Sequence, residues 1–484
     1  MRDHIVLYVN GQRHEVRGND CWLPLSEFLR LRLRLTGTKV VCAEGDCGSC
    51  TVAIGRPVGG KVDFTTVCGC IQRVVQLDGV HVVTVEGITY DANPVQQAMV
   101  ACNGAQCGFC TPGFVMSLHQ LLQDGKKDDC HVRRKLTGNL CRCTGYDAIL
   151  DAAKQTDISQ IQSLNTLYPD STFADPLREL GNDSVAIWTG NRSFFKPTTL
   201  EEAITLRAEY PAALLLAGGT DLGVVMNKRK IDPPVLISTA AIPDFATVES
   251  NPEHIVVGGG ATHAAVQAVL EREIPEYGEY LEYFGSPLIR QAGTLAGNLA
   301  TGSPIGDSLP PLMVLEASVE LARKSLASEA ANRRVVNLND FYTGYRASVM
   351  KPDELITRIF IPRPAKDEIF KLYKVSKRKD LDISTFSAAI WMRLKDGQII
   401  DARLAYGGVG PTVVRLRKTE SFLRGKPFSE ATFDDAQSIV LSEITPIADV
   451  RGSADYRNLL GGNILRRFHA ELAFAETNGN GRAQ

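Results

Sequence analysis

The polar and apolar positions fall into regions of different period. Residues 4–9 are mostly apolar, break at Asn10-Gly11 and resume at 14–16, the pattern of a hairpin with Asn-Gly as its tight turn. Leu29-Arg-Leu-Arg-Leu-Arg-Leu35 alternates strictly and on period alone reads as a strand with its arginines on the wet face. Pro24, Ser26 and Glu27 before it look like a helix start, however, and Gly37 after it like a helix stop. Another alternation at 80–85 gives a further strand. From Pro94 the spacing turns helical, through Val95, Ala98 and Met99 and then Phe114, Met116, Leu118 and Leu121, and two helical hairpins close near Ala153. Residues 156–186, of mixed polarity with Pro169, Pro176 and Gly181, read as a linker. Strands return at 388–394 and 399–405, followed by Gly407-Gly-Val-Gly-Pro411 and helical stretches, and the polar residues 477–484 read as a disordered tail.

The cysteines add chemistry. Cys42-Ala-Glu-Gly-Asp-Cys47-Gly-Ser-Cys50 has the spacing by which plant-type ferredoxins hold three corners of a [2Fe–2S] cluster. Gly45 and Gly48 let such a loop fold back over the metal. A fourth thiolate must come from further on, with Cys68 and Cys70 as candidates. On spacing, a zinc knuckle or a disulfide pair stays open. Cys107-Gly-Phe-Cys110 and Cys141-Arg-Cys143 form a second group. Thr111-Pro-Gly113 starts a helix, while Gly138-Asn-Leu140 opens and Thr144-Gly-Tyr146 closes the second loop. Both pairs thus stand at helix N-termini, where amides and dipoles stabilise thiolates and cluster sulfurs.

Composition narrows the class. The 484 residues suffice for two to four domains, and 44% hydrophobic with 22% charged residues is ordinary for a globular protein. With 53 basic against 55 acidic residues there is no basic stripe to argue for nucleic acid. The start lacks a signal-peptide apolar core and no run is long enough to span a bilayer. Twelve cysteines at metal spacings then point to cofactor ligation in a reducing, cytoplasmic setting.

Two glycine-rich stretches follow. Leu214-Leu-Leu-Ala-Gly-Gly-Thr-Asp-Leu-Gly223 is a short apolar strand running into a turn whose amides can cradle a pyrophosphate or simply reverse the chain. Gly293-Thr-Leu-Ala-Gly-Asn-Leu-Ala-Thr-Gly-Ser-Pro-Ile-Gly-Asp307 sets hydroxyls, amides and a carboxylate on a backbone of small residues, as a wrapped cofactor requires. No Gly-x-Gly-x-x-Gly is present, so a Rossmann dinucleotide site is unsupported.

Gln106-Cys-Gly-Phe-Cys-Thr-Pro-Gly113 and Gly138-Asn-Leu-Cys-Arg-Cys-Thr-Gly-Tyr146, after the Cys42 loop, resemble the two-cluster domain of the xanthine dehydrogenase family of molybdenum hydroxylases. In that family the fourth ligand of the plant-type cluster stands a fixed distance before Thr-Val-Glu-Gly. Here Thr84-Val-Glu-Gly87 selects Cys70, in Gly69-Cys70-Ile71 where the family usually has Ala-Cys-Leu. The resemblance therefore implies Cys42, Cys47, Cys50 and Cys70 for one cluster and Cys107, Cys110, Cys141 and Cys143 for the other. Cys21, Cys68, Cys102 and Cys130 are left as buried free thiols. It also implies a helix around Leu29 to Leu35, and it matches Gln106 and Cys143 to positions beside the pterin, so that Phe109 and Phe114 would be partly exposed without a partner.

With Gly258-Gly-Gly-Ala-Thr262, the glycine-rich stretches resemble the FAD domain of the same family. Carried over, the backbone of Gly218, Gly219 and Thr220 would meet the pyrophosphate, Asp221 would also bind the cofactor, and Thr294, Asn298, Thr301 and Asp307 would hold the ribityl, phosphate and adenosine parts. Phe284, in Tyr283-Phe-Gly285, matches the aromatic cover of the flavin ring, Leu355 an apolar contact and Lys374 a cationic one. Attachment would be noncovalent. The loop Lys377-Arg-Lys-Asp-Leu-Asp-Ile-Ser384 reads on its charges as solvated surface, whereas the resemblance implies charge beside the flavin that affects whether NAD or oxygen collects electrons.

The implied fold is α+β and multidomain: a β-grasp plant-type ferredoxin domain at 1–88, an all-α [2Fe–2S] domain at 89–157, and a linker at 158–187. A two-subdomain α+β FAD domain of the vanillyl-alcohol-oxidase type follows at 188–366, and a C-terminal α+β domain of the CO-dehydrogenase flavoprotein type at 367–484. The implied role is that of the small subunit of a bacterial-type xanthine dehydrogenase, carrying electrons from molybdopterin on a large partner subunit through two [2Fe–2S] clusters to FAD and NAD⁺. Two small and two large subunits would form a heterotetramer. No residue here would hydroxylate the purine, and Phe284 and Lys374 are the flavin-side candidates. The competing readings are the same role in an aldehyde, nicotinate or carbon monoxide enzyme, and a zinc-binding interaction protein.

Overall fold

Ile5–Val9 pairs antiparallel with Gln12–Val16 about Asn10 and Gly11, whose φ angles of 48° and 83° are those of the hairpin turn that Asn-Gly favours. A computed structural model describes residues 1–89, 93–229, 231–325 and 331–477. It divides into two units, one of Met1–Asp244, Thr262–Ala264 and Gly285–Thr294, the other of Phe245–Ala261, Ala265–Phe284 and Leu295–Gln484.

In the first unit the hairpin joins a five-stranded sheet in the order Gln12–Val16, Ile5–Val9, His81–Val83, Thr51–Val58, Lys61–Cys68, with His81–Val83 parallel to Ile5–Val9. This is the expected β-grasp sheet. A helical run over Leu25–Glu27 and Phe28–Arg32 takes in the Leu-Arg alternation only as far as Arg32, with Leu25, Phe28 and Leu29 buried, and Leu33 to Leu35 lie beyond it. Tertiary burial overrides the period of two, and Arg30 turns back to donate to the carbonyls of Thr36 and Thr38. Helices Pro94–Ala101, Thr111–Leu122, Asp129–Leu136 and Asp147–Gln155 share a core of Val95, Phe114, Leu118, Val132 and Ile149. The stretch read as a linker carries the helix Asp170–Asn182, which buries Phe173, Ala174 and Leu177. A four-stranded sheet follows in the order Val185–Thr189, Arg192–Lys196, Val235–Ser238, Leu214–Leu216. Its Ile187, Phe194, Leu216 and Leu236 share one apolar core with Ile5, Leu7, Val52 and Val82 of the first sheet.

His81 sits fully buried in the first sheet, against the rings of Tyr168 and Phe173, with Nε2 accepting from the Gly11 N–H at 3.0 Å. Burial lowers its pKa from 6.5 to about 4. Above 6.5 the ring is neutral whether the chain is folded or not; below it the unfolded chain takes the proton first. Acidification should therefore remove up to about 3 kcal/mol of stability as pH falls from 6.5 towards 4. Denaturant midpoints measured across that window should decline less steeply in His81→Gln than in the wild type, and equal slopes would discard His81 as the cause.

The second unit holds a five-stranded antiparallel sheet in the order Val248–Ser250, His254–Gly258, Leu355–Pro362, Ser318–Arg323, Asn332–Asn337. It also holds a four-stranded antiparallel sheet of Glu368–Val375, Phe386–Lys395, Gln398–Gly407 and Val414–Arg415. The short helices Leu295–Thr301 and Leu309–Val314 bury Leu295, Leu299, Leu309 and Leu312 in a core that reaches Ala389 and Trp391 of the second sheet. Helices Pro275–Glu282, Arg417–Leu423, Glu430–Glu443 and Ala454–Thr477 also belong to it. Of the tail expected to be disordered, Thr477 ends the last helix and 478–484 lie outside the described residues. Among the described residues no helix is long and apolar enough to cross a membrane.

Candidate functional site

All twelve cysteines are free thiols, which removes the disulfide alternative. In the first loop the Cys42 thiol bonds to those of Cys47 and Cys70, and Cys50 to those of Cys68 and Cys70. Cys70 thus meets both ends of the loop. Cys68 bonds to the Cys50 thiol and donates its S–H to the Gly45 carbonyl at 3.4 Å. Hydrogen bonds from Cys47 and Cys70 hold Cys42 well below the usual thiol range, while Cys47 and Cys70 are pushed above it, first by their bonds to Cys42. Crowded thiols cannot all ionise unaided, and bound cations that replace the protons remove the conflict. The donor set therefore fits a metal cluster. Among the described residues no group of three or more His, Cys, Asp or Glu side chains is placed to hold a single metal ion; a two-iron cluster asks for only two thiolates per iron.

In the second loop Cys107 pairs with Cys143 and Cys110 with Cys141. Cys110 lies immediately before the helix Thr111–Leu122, and burial, then the bond to Cys141, pushes it up to about 12. Thr144 Oγ1 donates to Cys141 Sγ at 3.1 Å, and the Cys141 N–H donates to the Tyr146 hydroxyl at 3.1 Å. Both loops interlock. The Leu140 N–H donates to the Cys47 carbonyl at 3.0 Å, and buried Asn139 donates to the Gly48 carbonyl at 3.2 Å. A Cβ on Gly48 would stand 2.2 Å from the Gly138 carbonyl oxygen, so the approach requires glycine. Phe109 is 46% exposed as expected, but Phe114 is fully buried in the helical core. Cys21 and Cys68 are buried as expected, whereas Cys102 is half-buried and Cys130 exposed.

The flavin candidates divide between the units. In the first, Gly218 and Gly219 form the turn between the strand Leu214–Leu216 and the helix Leu222–Lys228, with Thr220 behind them and Asp221 at the helix start. A Cβ on Gly218 would stand 1.7 Å from the Ala292 carbonyl oxygen, so only a bare backbone fits beside the segment leading to buried Thr294. In the second unit Asp307 is buried. Its Oδ2 accepts from Lys374 Nζ at 2.7 Å, and its Oδ1 from Ser384 Oγ at 2.5 Å and the Tyr280 hydroxyl at 3.5 Å. Lys374 also donates to the Tyr283 carbonyl at 2.9 Å, which fixes the segment carrying Phe284. Leu355 is buried, and Thr301 Oγ1 donates to the Gly297 carbonyl at 2.9 Å. Asn298 keeps a buried Oδ1 with no bonded partner among the described residues, an acceptor suited to a cofactor hydroxyl. Sequence reasoning missed Ser384 as an anchor and Asn139 as a brace: both lie in stretches singled out above, but their roles are set by partners far away in the chain.

Three family models match in order: "[2Fe-2S] binding domain" over residues 84–154, "FAD binding domain in molybdopterin dehydrogenase" over 190–364 and "CO dehydrogenase flavoprotein C-terminal domain" over 371–472. A xanthine dehydrogenase of Drosophila pseudoobscura pseudoobscura is 30% identical over 97% of this chain and 39% of its own length. The carbon monoxide dehydrogenase of Hydrogenophaga pseudoflava (TM-score 0.53, 26% identity) and quinoline 2-oxidoreductase of Pseudomonas putida 86 (TM-score 0.52, 25% identity) each cover 57% of this chain and 94% of their own. The chain spans about two fifths of the length of the curated relatives it matches. Fold and site define an iron–sulfur flavoprotein. The chain belongs to the molybdenum hydroxylase family, whose iron–sulfur and flavin domains it carries.

Proposed function

We propose that the chain is the electron-transfer subunit of a cytoplasmic xanthine dehydrogenase, accepting electrons from a large molybdopterin-bearing subunit in a heterotetramer and delivering them to NAD⁺. Cys42, Cys47, Cys50 and Cys70 would hold one [2Fe–2S] cluster, and Cys107, Cys110, Cys141 and Cys143 the other. Gly218, Gly219, Thr220, Asp221, Phe284, Thr294, Asn298, Thr301, Asp307, Leu355 and Lys374 would serve FAD, bound without covalent linkage. The bound groups supply one-electron transfer at iron and its conversion to hydride transfer at flavin. The protein's part is to hold them at fixed separations and keep water from the buried thiolates. Gln72 Nε2 donates to the Gly218 carbonyl at 3.1 Å, so the segment after Cys70 is bonded directly to the glycine turn and favours the Cys42 cluster as the one nearer FAD. The exposed Cys107, Cys143 and Phe109 suit the partner's side.

The observation that carries this reading is likeness in one order over 97% of the chain to a xanthine dehydrogenase. Likeness of the flavin part to carbon monoxide and quinoline enzymes supports a second reading, the same role with another oxidised substrate. Co-purification with the native partner and assay with hypoxanthine and NAD⁺ tests both. Purine-dependent NADH formation is the expected result; reduction only by an aldehyde, carbon monoxide or another heterocycle would replace xanthine with the second reading.

A further inference from the structure

The helix Leu222–Lys228 leaves the glycine turn and runs against the first cysteine loop. A Cβ on its Gly223 would stand 2.2 Å from the Ile71 carbonyl oxygen, and Val224 packs on the cluster of Cys50, Cys68, Cys70 and Ile71. On its last turn Asn227 donates through Nδ2 to two carbonyls, that of Cys70 at 2.9 Å and that of Ala43 at 3.0 Å. Its Oδ1 accepts from Arg73 Nη2 at 2.6 Å. A guanidinium can only donate, so Oδ1 must face it and both amide hydrogens are left for the carbonyls. One side chain thereby ties together the segments carrying Cys42 and Cys70.

Arg73 supplies more than orientation. It is 7% exposed, its Nη1 donates to the Trp22 carbonyl at 3.4 Å and its Nε is buried without a partner among the described residues. A guanidinium keeps its charge under all ordinary conditions. That charge acts on Cys70 as well as on Glu27 and Asp232. Such a cation in a low-dielectric interior favours whichever state of its neighbour is the more negative.

We propose that Arg73 and Asn227 are positioning residues for the first cluster: Asn227 clamps its two ligand segments, and the fixed charge of Arg73 favours its reduced form. The proposal rests on the reading that Cys42, Cys47, Cys50 and Cys70 are the ligands. The test is a reductive titration of the full chain with both clusters loaded, followed by EPR, with the second cluster as internal reference. In Arg73→Gln the first midpoint should move to lower potential while the second stays, and Arg73→Lys should restore the first towards the wild-type value. Asn227→Asp, which turns oxygen towards two carbonyls, should lose the first cluster and drop iron from about four to about two per chain. An unchanged first midpoint in Arg73→Gln, equal movement of both clusters, or Arg73→Lys behaving like Arg73→Gln would overturn the role of the charge. If Arg73→Gln loses the cluster outright, Arg73→Lys decides: retention at the wild-type midpoint supports the proposal and loss defeats it. Failure of the ligand reading is separately visible, because Cys70→Ser would then keep both clusters.

Discussion

Replacing Cys70 with serine should lower iron from about four to about two per chain, while Cys68→Ser leaves it near four. The two thiols lie two residues apart and are both buried, so burial does not separate them. Position does. Cys70 bonds to Cys42 and Cys50, the first and last thiols of the loop, as a ligand closing a ring of four would. Cys68 ends the strand Lys61–Cys68, and its S–H is committed to the Gly45 carbonyl. A serine hydroxyl at 70 is a poor iron ligand because it holds its proton far more tightly than a thiol and binds iron through a harder atom. Iron analysis with visible absorption checks the outcome; loss of the cluster in Cys68→Ser and its survival in Cys70→Ser would exchange the two assignments.

The cysteine loops were legible in the sequence because their chemistry is local: ligands, glycines and helix starts sit within a few residues of one another. The β-grasp hairpin was legible for the same reason, through Asn10-Gly11. What stayed hidden depends on distant partners. Leu29 to Leu35 alternates like a strand, yet Leu29 is wholly buried in a helix, and neighbours absent from the local pattern decide that. The helix Asp170–Asn182 escaped notice because Pro176 lies inside it and its apolar residues serve a core built mostly from residues 53–153. Asn227 carries no motif, and Ser384 only ends the charged loop 377–384. Their importance comes from partners more than seventy positions away. Lys374 was legible as a cation beside the flavin candidates, whereas its pairing with Asp307 was not.

That pairing is the second place where a single change should have a large effect. Asp307→Ala should destabilise the chain by about 3–5 kcal/mol, because Lys374, only 7% exposed at its side chain, would lose its buried counter-ion. Ser384 and Tyr280 would lose their acceptor as well, releasing the end of the 377–384 loop. The Tyr283 carbonyl would remain as Lys374's one bonded partner, too weak to offset a buried ammonium. Adding Lys374→Met removes that charge and fills its space with an apolar chain, so the double variant should be more stable than Asp307→Ala. Equilibrium unfolding of the full chain, wild type against the two single variants and the double, measures the coupling directly. Flavin content should fall in Asp307→Ala and recover less than stability does in the double variant, since the methionine restores packing while nothing restores the carboxylate that orders Ser384 and Tyr280. Additive losses in the cycle would mean that the pair contributes no mutual stabilisation, and that Asp307 acts through its hydroxyl partners alone.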